Sequence, residues 1–124
     1  MHFSRRDEPF RYCFPEPLKG EFQITKINGT EVESHFGNMK ILDISLHGAK
    51  IFTEYDFQIT GNEIELTLHF QIMSIEFSIP GVLVHQEIHG QGFDCGIHLN
   101  TDEAIREAIT GELKAFAWKL VKEK

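Results

Sequence analysis

Residues 61–72 read Gly-Asn-Glu-Ile-Glu-Leu-Thr-Leu-His-Phe-Gln-Ile. From Ile64 every second residue is apolar (Ile64, Leu66, Leu68, Phe70, Ile72), while Glu63, Glu65, Thr67, His69 and Gln71 take the positions between. A period of two is that of a strand with one face in a core and the other in water. Downstream, Ile75, Phe77 and Ile79 repeat it, Pro80-Gly81 is expected to break or bulge the run before Val82, Leu83 and Val84, and His89-Gly90-Gln91-Gly92 marks a turn. Phe93, Cys95, Ile97 and Leu99 then alternate with Asp94, Gly96 and His98 as a last strand.

Upstream the pattern is similar but shorter. Leu18 to Ile27 alternates weakly with Phe22 and Ile24 on one face, and Asn28-Gly29 is a strong hairpin signal. Although Asn28-Gly29-Thr30 also matches a glycosylation sequon, no secretory signal accompanies it, so it reads as a turn. Thr30 to Ser34 is a short returning strand and His35-Phe36-Gly37-Asn38 the next turn candidate. Met39 to Leu46 and Ala49 to Thr53 read as strands joined at a bend where Gly48 relieves the backbone, and Tyr55 to Gly61 is a connection. Residues 1–17 form an irregular arm, because Pro9, Pro15 and Pro17 exclude a continuous helix or a central strand.

After Asn100 the period becomes helical. Ile105, Ile109, Leu113, Phe116 and Leu120 fall on one face, with Asn100 and Glu103 as a capping box and Lys119, Lys122 and Lys124 at the C-terminal end. Gly111 marks a kink or break there. The pattern predicts one mainly β domain: an arm over 1–17, an antiparallel barrel or sandwich over 18–100 and a helical lid over 101–124. A chain of 124 residues suffices for one such core.

Composition narrows the function. A formal net charge of −7 argues against binding nucleic-acid polymers, which requires several cations to displace phosphate counterions. No apolar run approaches the length of a bilayer span, so a cytoplasmic protein without membrane insertion is expected. Cys13 and Cys95 fit neither a disulfide framework nor a zinc knuckle. The histidines at positions 2, 35, 47, 69, 85, 89 and 98 form no HxxxH pair on the predicted helix, and neither a P-loop nor a GxGxxG stretch occurs. No catalytic residue, metal site or cofactor is expected.

Two stretches remain unexplained by packing. Arg5-Arg6-Asp7-Glu8-Pro9-Phe10-Arg11 carries three guanidinium groups, which fork onto phosphate oxygens and stack on bases; equally, they can pair with Asp7 and Glu8. In Asp43-Ile44-Ser45-Leu46-His47-Gly48, Asp43 and Ser45 share a strand face and Gly48 admits close approach. A carboxylate there accepts from a guanine edge, or Asp43 and Ser45 simply satisfy local backbone donors.

Together these stretches resemble the PilZ family. DISLHG matches its DxSxxG motif at Asp43, Ser45 and Gly48, and the arginine arm stands where that family carries RxxxR. GVLVH at 81–85, CGIHL at 95–99 and the terminal amphipathic helix follow in the expected order. The resemblance implies a barrel of about six strands that binds the bacterial messenger cyclic di-GMP. Arg6 and Arg11, with Arg5 as substitute or helper, would hold phosphates and guanine, and Asp43, Ser45 and Gly48 would form the barrel half. Binding would fold the arm onto the barrel and present a changed surface to a regulated partner protein, with the receptor a monomer or dimer. One departure is visible: four residues separate Arg6 from Arg11, and five separate Arg5 from Arg11, where the family usually has three. The alternatives are a PilZ-like interaction module without nucleotide and, from another class, a small barrel enzyme or flavin-binding protein.

Overall fold

A computed structural model describes residues 11–33 and 36–122. Seven strands and one helix follow in order: β1 (Arg11–Ile27), β2 (Thr30–Glu31), β3 (Phe36–Ser45), β4 (Gly48–Thr53), β5 (Ile64–Gln71), β6 (Glu76–His89), β7 (Gly92–Leu99) and α1 (Glu103–Lys122). The strand order is β2-β1-β3-β4-β7-β6-β5, and a further antiparallel pairing of β1 with β5 joins the ends into a closed six-stranded barrel with β2 appended. Closure leaves no long free edge, which an open sheet would present to other chains.

Strand phase sets the core. Ile64, Leu66, Leu68 and Phe70 of β5 are buried together with Phe22, Ile41, Ile51, Phe77, Ile79, Cys95, Ile97 and Leu99. The Asn28-Gly29 hairpin has both residues at positive φ (53° and 80°), as a type I′ turn requires, and Gly90 (62°) opens the turn between β6 and β7.

Among the strands, three expectations are corrected. Phe36, Gly37 and Asn38 are not a turn but the start of β3, opposite Gln23, Phe22 and Glu21. A β-carbon on Gly37 would lie 2.2 Å from Phe22 Cζ, so glycine serves there to seat a buried ring. Strand β1 begins at Arg11, ahead of Pro15 and Pro17; both prolines fall where the register with β3 shifts, between Cys13 and Leu18, which spares the ladder their missing N–H groups. Nor does Pro80-Gly81 interrupt the chain, since β6 runs through it. Glu76 to Val82 pairs with β5 and Gly81 to His89 with β7, so the dipeptide lies where the strand passes from one neighbour to the other.

Gly81 is required there by space. A β-carbon would sit 2.5 Å from the carbonyl oxygen of His98, a backbone atom that cannot swing away. Gly81→Ala is therefore expected to lower the unfolding free energy by about 1–3 kcal/mol, measurable as a fall in the denaturant midpoint with an unchanged slope.

The helix is continuous through Gly111 and starts later than expected. Asp102, not Asn100, is the cap, its Oδ1 accepting from the backbone N–H of Ile105 at 2.8 Å. Ile109 and Leu113 are buried, and Phe116 meets Tyr12 and Phe14 of β1 edge-on at ring separations of 6.0 and 5.7 Å. Between the two buried aliphatics lies Glu112, 7% exposed. Its Oε1 accepts from the backbone N–H groups of Met73 (3.0 Å), Ser74 (2.8 Å) and Ile75 (2.9 Å), and the Ser74 hydroxyl donates to Oε2 at 3.2 Å. One carboxylate thus ties α1 to the loop between β5 and β6.

Candidate functional site

The start of β1 and the end of β3 meet in register: Arg11 stands opposite Ser45, and Cys13 opposite Asp43. Residues opposed across an antiparallel pair point the same way, so the four share one side of the sheet. Arg11 reaches diagonally to Asp43, with Nη2 3.0 Å from Oδ1 and 3.1 Å from Oδ2. The Asp43 side chain is 12% exposed and that of Arg11 31%, so the carboxylate is covered while the guanidinium keeps an outer edge in water. Only one guanidinium nitrogen is engaged in this pair, leaving the donors on Nε and Nη1 outside it.

Ser45 lies beneath, 2% exposed, and its hydroxyl donates to the Gly48 carbonyl at 3.3 Å. The chain reverses at Leu46-His47, and Gly48 is the first residue of β4 with an ordinary strand φ. The expected bend between the two strands is there, but it falls on Leu46-His47, one residue before Gly48, and Gly48 needs no unusual φ. A β-carbon there would rest in ordinary contact, 3.5 Å from Ser45 Oγ and 3.4 Å from the Ile97 carbonyl oxygen, so packing within the chain does not itself demand the glycine.

Behind the turn the chain leading into α1 fixes its shape. Leu99 N–H donates to the His47 carbonyl (2.9 Å), and the Thr101 hydroxyl donates to that of Leu46 (2.9 Å). Arg106 of α1 holds Thr101 in turn, its Nη1 donating to the Thr101 carbonyl at 2.9 Å. Thr101 was not legible as part of this arrangement, because its partner is a carbonyl 55 residues away, and Arg106 joins it only through Thr101. Glu112 left a clearer trace: it falls on the apolar phase of the helix, where an acid needs a reason.

Of the six residues expected at the site, Arg11, Asp43, Ser45 and Gly48 are brought together. Arg5 and Arg6 lie outside the described residues. Two grooves on the barrel wall, one lined by Asp56, Gln58, Asn62 and Gln86 and another by Lys19, Lys40, Phe52 and Tyr55, take in none of the four. The family model described as PilZ domain matches residues 5–114.

The chain belongs to the PilZ family. PilZ domains are, as a family, cyclic di-GMP receptors that act as binding and adaptor modules rather than enzymes. No curated protein matches the chain. The matched span covers the arginine arm, the DxSxxG turn and α1 as far as Lys114.

The other titratable groups of this PilZ domain are dispersed. His69 contacts Ser78 Oγ (2.8 Å) and Gln23 Oε1 (3.2 Å), and His89 contacts Asp94 Oδ2 (2.7 Å). Burial, reinforced by the charges of Asp94 and Asp56, pushes the Cys95 thiol up to about 12, so it stays protonated and unreactive at neutral pH. Among the described residues no group of three or more His, Cys, Asp or Glu is placed to hold a metal ion, and no helix is long and apolar enough to cross a membrane.

Proposed function

We propose that this PilZ domain binds cyclic di-GMP on the face shared by Arg11, Asp43, Ser45 and Gly48, with Arg5 and Arg6 completing the site from the arm. The observation that carries the reading is the Arg11–Asp43 pair: the guanidinium is anchored at one nitrogen and retains donors for a phosphate. Asp43 keeps acceptor capacity for the N–H groups of a guanine edge, and Gly48 leaves space for the ligand above Ser45. Ordering of the arm on the ligand would then present a new surface to a regulated protein in a bacterial cytoplasm. No cofactor is needed for such a switch.

Calorimetric titration tests this directly. A saturable exothermic complex with cyclic di-GMP, absent with GTP and cyclic di-AMP, is the expected result; no heat and no chemical-shift change at high micromolar ligand would refute it. A second reading, an interaction module that works without nucleotide, is favoured by the four residues Asp7-Glu8-Pro9-Phe10 between Arg6 and Arg11. It predicts capture of the same partner with and without ligand.

A further inference from the structure

On the reading that cyclic di-GMP binds the face of Arg11 and Asp43, on which this inference rests, we propose that α1 braces that face. Thr101, Arg106 and Phe116 are its positioning residues. They hold the two halves of the site, the 46–48 turn and the Arg11 end of β1, in the geometry the ligand meets.

Unlike Asn28-Gly29, which takes positive φ at both residues and so closes its own hairpin, Leu46 and His47 have no positive φ and neither is a turn-forming residue. Their reversal is held from the chain leading into α1. Both carbonyls are engaged, that of Leu46 by the Thr101 hydroxyl at 2.9 Å and that of His47 by the Leu99 N–H at 2.9 Å. Arg106 Nη1 donates to the Thr101 carbonyl at 2.9 Å and to Thr101 Oγ1 at 3.4 Å, which leaves the hydroxyl proton for Leu46. Arg106 stands in the first turn of α1, the end at which the helix dipole disfavours a cation, so its position answers to Thr101 rather than to the helix.

The other half depends on α1 as well. Among the described residues Arg11 to Cys13 pair with β3 alone, since β5 joins β1 only from Gly20 onward, and the register shift containing Pro15 and Pro17 separates them from the rest of the ladder. Tyr12, opposite Ile44 and on the other face from Arg11, is where α1 reaches this segment. Phe116 meets Tyr12 and Phe14 edge-on, and those two rings lie 5.1 Å apart, so three aromatic side chains lock together behind Arg11. One helix thus bears both on the strand segment that presents Arg11 and on the turn that follows Ser45. Docking of α1 then favours the ligand, and by linkage the ligand favours docking of α1 to the same degree.

Calorimetric titration of the full chain and its variants with cyclic di-GMP tests the brace. Thr101→Val, which keeps the shape and removes the hydroxyl, and Phe116→Ala should each weaken binding by about fivefold or more, while Thr101→Ser, which retains the hydroxyl, should bind as wild type. Arg106→Met should weaken binding too and add little to Thr101→Val, because both act through one hydroxyl. Ile64→Val, a core change at the far end of β5 opposite Ile27, should lower the denaturant midpoint without moving the affinity, which separates positioning from stability. In the free chain, amide hydrogen exchange should quicken at 46–48 in Thr101→Val and at 11–14 in Phe116→Ala, a readout that needs no ligand. If the wild-type chain binds and either Thr101→Val or Phe116→Ala binds as tightly, the brace is overturned and the cyclic di-GMP reading stands; unchanged exchange at both segments overturns the brace as well. A wild-type chain that gives no heat refutes the reading itself, and the positioning role with it.

Discussion

Asp43→Ala is expected to weaken cyclic di-GMP binding by about a hundredfold, roughly 3 kcal/mol, the range for truncating one partner of a covered charge pair. Two losses combine: the ligand loses an acceptor, and Arg11 loses the anchor at its Nη2. Arg11→Ala should lose a similar amount. Because the arginine and the aspartate act as one unit, the double variant should bind scarcely worse than either single one; additive losses in the calorimetric cycle would show instead that they contact the ligand independently. The two variants differ in stability. Removing Asp43 leaves an arginine that can turn into water, whereas removing Arg11 strands a carboxylate only 12% exposed. Arg11→Ala should therefore unfold at lower denaturant than Asp43→Ala, making the latter the cleaner probe of binding.

Glu112→Ala should lower the unfolding free energy by about 3 kcal/mol, because it orphans the N–H groups of Met73, Ser74 and Ile75 at once. Glu112→Gln, which retains one acceptor oxygen without the charge, should lose only about 1 kcal/mol. The acid dependence separates these contributions. Burial pushes the Glu112 carboxyl up, but its backbone and Ser74 hydrogen bonds outweigh that and hold it below the ordinary glutamate range. A carboxyl lowered on folding stabilises the protein above its unfolded value, about 4.3, and this contribution is lost as pH falls through the folded value. The stability gap between wild type and Glu112→Gln should be full at pH 7 and close as the solution is acidified below that point. A gap that persists unchanged at low pH would mean that the charge is not what holds the loop.

Much of this architecture is local and was therefore readable. Alternation along 64–70 follows from one buried face, and Asn28-Gly29 encodes its own turn. What eluded the sequence depends on residues distant in the chain. Gly37-Asn38 looks like a turn until Phe22 is known to need the space above Gly37. Pro80-Gly81 looks like a strand end because a sequence does not reveal that β6 changes partners there. The same division runs through the site: the spacing of Asp43, Ser45 and Gly48 is a local motif, whereas the hold of Arg11 on Asp43 arises only when β1 and β3 come into register.

The closure of the barrel through β1 also governs how the chain comes to be folded. Gly20 must find Phe70, and Ile51 must find Cys95, so neither β1 nor β4 completes its pairing until much later strands exist. Contacts this distant in sequence slow folding and make it cooperative, because loop closure must precede their gain. During synthesis the edges of β1 and β4 remain open until β5 and β7 emerge, which is the interval in which such a chain is most exposed to aggregation.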